Sequence, residues 1–487
     1  MESKVVGNYL VYRDAECMGG SVFSKDKKWF RAENNLVNRI ILGIESSPQT
    51  PTVKLRYSGK LEEFQRLDVK KTLQQKNVLN ANSMGLGKTV ESIKALREMD
   101  AQSVAIIVPK SIMNQWADQI GVWWPDAHSR VDILPDKVEK GRIVIYNYDK
   151  LIRAEHLYKF KNFQLDVLIC DEAHRIKSPR SGRTNAVKSI PAKYRWALTG
   201  TPILNKPDDL WSILHFVNPD YVGKSYQAFK EYFCELEEGF FGIENKGLTT
   251  NVYKQYILHE LGRHVIIRNP GVRTAFGKTY ETVRVDMSSK QLTLYKKIKK
   301  VLLDELPEDL SIPNAAVLTL RLRQATSCPH ILDENTGMGA KFEWIAEKIS
   351  DNPEEKFVVF TCFEQVAVRL SKYLKVKSLL YTGKQKPAIR AQALSLFQQP
   401  RWNVMIGTIG AMGEGVDGLQ EKCRNVIFID KDWSPEVVRQ AEDRLNRKGQ
   451  KDVVQIYSLE CKNSFDQYVG KVNFTKSSDI RRALNES

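Results

Sequence analysis

Two short strings constrain what this chain can fold into: Met84-Gly85-Leu86-Gly87-Lys88-Thr89 and, further along, Asp171-Glu172-Ala173-His174. The first needs a strand that turns sharply into a helix, because Gly85 and Gly87 let backbone N–H groups close around phosphate oxygens with no Cβ in the way. Lys88 can then reach β and γ phosphates, and Thr89 can offer its hydroxyl to magnesium. The second string follows the apolar run Leu165, Val167, Leu168, Ile169, Cys170, which reads as a buried parallel strand carrying Asp171 and Glu172 to its carboxyl end. There Asp171 can hold magnesium through water, and Glu172 can polarise an attacking water. A Gly-Lys-Thr string alone is often an ordinary turn, and Asn82 stands where an earlier glycine is usual. Both strings in this order indicate ATP hydrolysis with Mg2+.

At 487 residues the chain is too long for one hydrophobic core and suits two α/β domains plus a smaller piece. No apolar stretch has the length of a bilayer span, and the start, Met-Glu-Ser-Lys, lacks a basic segment followed by an apolar one. A cytoplasmic protein is expected, or a nuclear one in a eukaryote. Cysteines at 17, 170, 234, 328, 362, 423 and 461 are scattered singly, against both a zinc ribbon and a disulfide framework. The net charge of +16 favours a polyanion, since lysine and arginine displace counterions from phosphate backbones. Joined to an ATPase, it points to nucleic acid.

Residues 1–57 carry short β-type runs, Tyr9-Leu10-Val11-Tyr12 and Arg39-Ile40-Ile41-Leu42, broken by Gly19-Gly20 and the stretch 46–51, and predict a small β-rich domain. Its Lys27, Lys28, Trp29 and Phe30 suit either a DNA-facing strand or a packed tryptophan beside solvated lysines. Residues 58–270 alternate strands (104–108, 143–146, 165–170, 196–198) with helices such as 111–119, predicting a doubly wound parallel sheet with a helical insertion over about 219–265. Residues 271–487 open on a basic segment, 278–300, and a helical pattern to about 349. A second alternating region then begins at 357–360 and continues through 404–406 and 426–429.

Thr199-Gly200-Thr201-Pro202 follows a short strand in the first lobe, and Gly413-Glu414-Gly415-Val416-Asp417 follows one in the second. Then comes Gln440-Ala441-Glu442-Asp443-Arg444-Leu445-Asn446-Arg447-Lys448-Gly449-Gln450, whose three-residue arginine spacing places Arg444 and Arg447 on one face of a helix. Two guanidinium groups so placed can stabilise charge on a γ phosphate.

This order of motifs resembles the Swi/Snf-like group of superfamily two helicases over about residues 60–460, with Phe64-Gln65, Val108-Pro109-Lys110-Ser111, Trp116, Trp211 to Pro219, Val359-Phe360-Thr361 and Trp433-Ser434-Pro435 continuing it. The resemblance implies two tandem RecA-like parallel-sheet lobes of α/β class with an interlobe ATP cleft. It implies that Gln65 reads adenine, that Met84 to Thr89 bind phosphates, and that Gly415, Asp417 and Gln440 contribute from the second lobe. Thr199, Gly200 and Thr201 would couple the γ phosphate to lobe movement, and Lys110, Ser111 and Thr408 would face the tracked DNA strand.

The Gln-Ala-Glu-Asp-Arg wording is similar to members that anneal or remodel branched DNA, which implies translocation on duplex DNA and work on forks or junctions in replication, recombination and repair. A motor that recycles DNA-bound RNA polymerase, and a nucleotide-gated DNA-binding scaffold, are the alternatives. Asn82-Ser83 replaces the family's usual Asp-Glu, Glu62 a common basic residue, and Asn446 a common histidine; altered coupling is expected rather than lost chemistry. Without histone-reading modules or ubiquitin-ligase insertions, a phage or prokaryotic enzyme fits best. A monomer is expected, reading DNA by structure rather than sequence, with Gly239-Phe240-Phe241 or the N-terminal domain as candidate strand-parting wedges or as simple packing.

Overall fold

The computed structural model describes residues 3–6, 9–12, 22–23, 30–45, 51–57, 60–83, 85–161, 163–200, 208–239, 242–269, 277–304, 312–413, 416–447 and 449–471. Contacts divide the described chain into two units, one ending at 269 and one beginning at 277. Gly19-Gly20, Lys27 to Trp29, Met84, Thr201, Pro202, Phe240, Phe241, Glu414, Gly415 and Lys448 lie outside the described residues, so the wedge at 240–241 and the nucleotide roles of Met84 and Gly415 stand as sequence expectations.

The first unit is built on a seven-stranded sheet with every pairing parallel. Its order is Ile266–Ile267, Val78–Asn80, Ala192–Leu198, Leu165–Asp171, Val104–Val108, Ile143–Asn147, Val131–Ile133. A parallel sheet needs both faces covered, which explains the uninterrupted apolar runs. In Val104–Val108, Ala105 and Ile107 point into one core while Val104, Ile106 and Val108 point into the other. Helices Glu63–Gln75, Lys88–Glu98 and Met113–Trp123 cover the second face through Val69, Leu73, Ile93, Leu96, Trp116 and Ile120.

The second unit repeats this plan with six parallel strands, ordered Lys278–Val285, Val454–Cys461, Asn425–Phe428, Phe357–Thr361, Val404–Thr408, Ser378–Tyr381. Again the faces alternate: Val358 and Phe360 pack with Met405 and Phe428, whereas Phe357 and Val359 pack with Ile406 and Ile427. The tandem parallel-sheet α/β architecture is therefore the one expected. Among the described residues no helix is long and apolar enough to cross a membrane.

The structure departs from expectation in three places and adds a strand in a fourth, where the sequence showed only a basic segment. Arg39 to Leu42 is not a strand; helix Leu36–Ile41 runs through it, because the Asn35 side chain caps the Asn38 N–H and Val37 and Ile41 turn to one buried side. This helix follows a four-stranded antiparallel sheet, Ser3–Val6, Tyr9–Tyr12, Phe30–Glu33, Val22–Phe23 in spatial order, whose Leu10 and Ala32 join the first unit's core. The insertion at 219–265 is not all helical: strands Cys234–Gly239 and Gly242–Leu248 pair antiparallel between helices Tyr226–Phe233 and Val252–Val265. Alternating Glu235, Leu236 and Glu237, with Gly239 and Gly242 as the last paired residues, is hairpin grammar rather than a 3.6-residue period. The basic segment at 278–300 opens with an edge strand, Lys278–Val285, largely exposed and hence written in polar residues. Finally, the helix expected at 111–119 begins as a 3-10 turn, Lys110–Ile112, before Met113–Trp123.

Candidate active site

The loop after strand Val78–Asn80 turns into helix Lys88–Glu98 through Gly85 (φ +81°) and Gly87 (φ +91°), a conformation that side chains rarely adopt. A Cβ on Gly87 would also collide with the Gln65 amide nitrogen. Gln65 Nε2 donates to the Leu86 carbonyl at 2.8 Å, while its Oε1 accepts from the Glu62 N–H at 3.0 Å. Gln65 therefore lies against the loop and ties helix Glu63–Gln75 to it. Leu86 is buried, and Thr89 occupies the helix's first turn.

Lys88 Nζ donates to the carbonyls of Asn82 at 2.7 Å and Ser83 at 3.3 Å. Burial lowers its pKa, while the charges of Glu172, Asp171 and Glu91 pull the other way. Lys88 and the Asp-Glu pair therefore share one electrostatic environment, though their strands stand one apart in the sheet with Ala192–Leu198 between them.

Asp171 ends strand Leu165–Asp171. Its Oδ2 accepts from Trp116 Nε1 at 2.8 Å, its Oδ1 from the Glu172 N–H at 2.9 Å, and its backbone carbonyl from the Tyr148 hydroxyl at 2.6 Å. Burial and the neighbouring Glu172 charge push its carboxyl up, which a cation would relieve. Glu172 itself sits at φ +51°, ψ 49°, a strained left-handed conformation for a residue with a side chain. His174 Nδ1 lies 3.3 Å from Glu172 Oε2 and 3.3 Å from Thr199 Oγ1. Thr199 is fully buried, and its N–H donates to Asn80 O at 3.0 Å, so the Thr199-Gly200 segment is stitched to the strand that launches the phosphate loop.

The donor set fits a magnesium nucleotide: two loop glycines in the left-handed region, one ammonium, a hydroxyl and a carboxylate whose protonation a cation would suppress. Among the described residues no group of three His, Cys, Asp or Glu side chains is placed to hold a metal ion by itself.

In the second unit helix Pro435–Glu442 stops before the arginines, so Arg444 and Arg447 do not share a helix as the spacing suggests. Short turns continue instead, with Arg444 N–H to Ala441 O at 3.2 Å, Leu445 N–H to Glu442 O at 3.1 Å and Gln450 N–H to Arg447 O at 3.0 Å. The reason is visible in the side chains, which are drawn into the 413–417 loop. Arg444 Nε donates to Gly413 O at 2.9 Å and its Nη1 to Val416 O at 3.3 Å, and Arg447 Nη1 reaches Val416 O at 3.2 Å and Asp417 Oδ1 at 3.0 Å. The two guanidiniums still converge, on one carbonyl. Burial works to raise the Asp417 carboxyl, yet Arg447, Gln420 and the Gly418 N–H outweigh it and hold it low. Gln440 is buried in the helix.

Lys110 and Ser111 are exposed just past the carboxyl end of strand Val104–Val108, and Thr408 ends strand Val404–Thr408. In each unit they share the carboxyl edge with the residues that the sequence assigns to the nucleotide, where open α/β sheets place ligands. Sequence reasoning missed Tyr148 and the amide cluster of Asn80, Asn82 and Asn269 beneath the loop. It noted Trp116 only as part of a motif, with no signal for its bond to Asp171. An apolar cavity of about 280 Å3, lined by Leu157, Tyr158, Phe160 and Ile190 among others, adjoins the amino ends of strands 165–171 and 192–198, away from this chemistry.

A family model described as SNF2-related domain matches residues 24–331, and one described as helicase conserved C-terminal domain matches 340–449. An uncharacterized ATP-dependent helicase of Mycoplasma pneumoniae is 28% identical over 431 residues, covering 83% of this chain and 40% of that protein. An ISWI chromatin-remodeling complex ATPase of Saccharomyces cerevisiae is 26% identical over 466 residues, covering 85% and 40%. The chain thus spans about 40% of the length of these curated relatives. Among solved structures, a Sulfolobus solfataricus SWI2/SNF2 ATPase core in complex with dsDNA aligns at 23% identity and TM-score 0.42, covering 90% of this chain and 100% of that one.

Proposed function

The chain belongs to the SNF2-related domain family, and from that premise we propose that it is an ATP-driven motor that moves along duplex DNA and acts on forks and four-way junctions in replication, recombination and repair. The observation that carries the reading is geometric: the glycine loop and Lys88 follow the carboxyl end of strand Val78–Asn80, and Asp171 and Glu172 stand at the carboxyl end of Leu165–Asp171 in the same parallel sheet, with Glu172 held beside His174 and Thr199.

In this reading Lys88 exchanges the Asn82 and Ser83 carbonyls for phosphate oxygens, and Gln65 offers its remaining N–H to adenine. Thr89 and Asp171 would hold magnesium, which supplies charge neutralisation at the phosphates when bound. Glu172 orients the attacking water and accepts its proton, with its carboxylate aimed by His174. Arg444 and Arg447 are the proposed partners of the γ phosphate, leaving the Val416 carbonyl to meet it. Thr199 touches His174 directly, which suits a coupling role. The net charge of +16 and the placement of Lys110, Ser111 and Thr408 support a nucleic-acid track, bound through phosphate and therefore with steep salt dependence.

The test compares ATP turnover with and without forked DNA, for the wild type and for Lys88→Ala. DNA-stimulated turnover is expected in the wild type and none in the variant, with DNA binding retained. Turnover indifferent to DNA defeats the motor, and junction migration by Lys88→Ala defeats the assigned pocket.

A further inference from the structure

Beneath the phosphate loop lies a buried cluster of amides and carboxylates that the ATPase chemistry does not use. Asn82, fully buried, donates from Nδ2 to Asp68 Oδ2 at 2.7 Å and to Glu91 at 3.3 and 3.4 Å. Asn80 Nδ2 donates to Glu91 Oε2 at 2.6 Å and its Oδ1 accepts from the Asn82 N–H at 3.1 Å. Into this cluster comes Asn269, at the far end of the first unit. Its N–H and Nδ2 donate to Asn82 Oδ1 at 3.0 and 2.9 Å, and Nδ2 also reaches Asp68 Oδ2 at 2.6 Å. Its neighbour Arg268 donates from Nη1 to Ala81 O at 2.8 Å, and the Ala81 N–H donates back to Ile267 O at 2.8 Å.

The cluster explains why an amide stands at 82. Two buried carboxylates, Asp68 and Glu91, converge on one nitrogen, and a third carboxylate there would offer no donor to either. It also wires two parts of the chain together. The Asn82 backbone carbonyl accepts the Lys88 ammonium, while the Asn82 side chain accepts Asn269, three residues before the boundary between units. Any ligand that draws Lys88 off that carbonyl changes the forces on the residue that anchors Asn269 and on Ala81 beside it, which holds Arg268.

We propose that Asn269 and Arg268 are positioning residues that transmit the state of the phosphate loop to the 268–269 end of the first unit. The inference rests on the motor reading above and names the contact through which that motor's nucleotide site and DNA site are coupled. Lys88 supplies the two-state element, with its ammonium on loop carbonyls or on phosphate, and the 81–82 to 268–269 hydrogen bonds carry the difference. Coupling of this kind is reciprocal: if DNA alters nucleotide affinity, nucleotide alters DNA affinity by the same factor.

The experiment measures the affinity of the full chain for a fluorescent, non-hydrolysable ATP analogue with and without saturating blunt duplex DNA, and takes the ratio. Coupling ratios of about 5 to 150 are typical of linked sites, and Asn269→Ala is expected to bring the ratio to within about twofold of one. Simple loss of packing would weaken binding equally in both arms and leave the ratio intact, so the ratio separates the two roles. Arg268→Gln removes the Ala81 tether and a charge that acts on Lys88 in both arms alike, so its ratio still reads the tether; it should lower the ratio in the same direction and decides the matter if Asn269→Ala does not fold. A folded variant that keeps the wild-type ratio overturns the inference. A wild type with a ratio of one also overturns it, since no affinity coupling then exists to be carried, while the motor reading stands or falls separately on the turnover test above.

Discussion

Glu172 is where backbone strain and chemistry meet: a carboxylate in a left-handed conformation, beside a histidine that also touches Thr199. If it accepts the proton of the attacking water, Glu172→Gln should bind nucleotide normally and lose turnover by a factor on the order of 10² to 10⁴, read in a single-turnover assay. Glu91 makes a different prediction, because burial and the charge of Asp68 push its carboxyl from an ordinary 4.5 up to about 8. The fold favours the protonated form, so the stability this group contributes is full below pH 4.5 and is lost as pH rises through about 8. Melting temperatures should therefore fall across that window more steeply in the wild type than in Glu91→Gln, where nothing ionises. Parallel curves would mean that folding leaves the Glu91 carboxyl at its ordinary pKa.

Elements place these residues, and their ends are where local chemistry shows. Helix Val252–Val265 starts at Asn251, whose side chain accepts from the Lys254 N–H at 3.1 Å. Asn251→Ala should cost about 1 kcal/mol, measured by chemical denaturation. Much at this scale was legible in the sequence. The core strands could be read because parallel strands are apolar on both faces, and the strand ending at Asp171 could be read because its motif follows such a run. The edge strand Lys278–Val285 was illegible for the converse reason, since exposure lets it be polar. Helix Leu36–Ile41 was hidden by its β-branched residues, which a cap and one buried face override. The turn at 443–447 was hidden because what bends it, the carbonyls of Gly413 and Val416, lies about thirty residues away in sequence. For the same reason motif spacing named Lys88, Asp171 and Glu172, while the bonds that hold them, from Trp116, Tyr148 and Asn82, came only with the fold.

At the scale of the whole chain, each of the two units is built on one parallel sheet with a core on either face. Lys341 is sealed completely inside the second, its ammonium on Ile429 O at 2.6 Å and on Asp466 Oδ2 at 2.8 Å. Asp466 also accepts from the Thr326 hydroxyl and the Cys461 N–H. Strand Val454–Cys461 sits between two neighbours in the same sheet. A recombinant fragment cut to the borders of the 340–449 family match would remove that inner strand and leave an orphaned cation in oil, a loss of about 3 to 5 kcal/mol from the charge alone. Such a fragment should be recovered as insoluble material, whereas one begun at 277 and carried through residue 471 retains the strand, the carboxylate and the means to stay in solution.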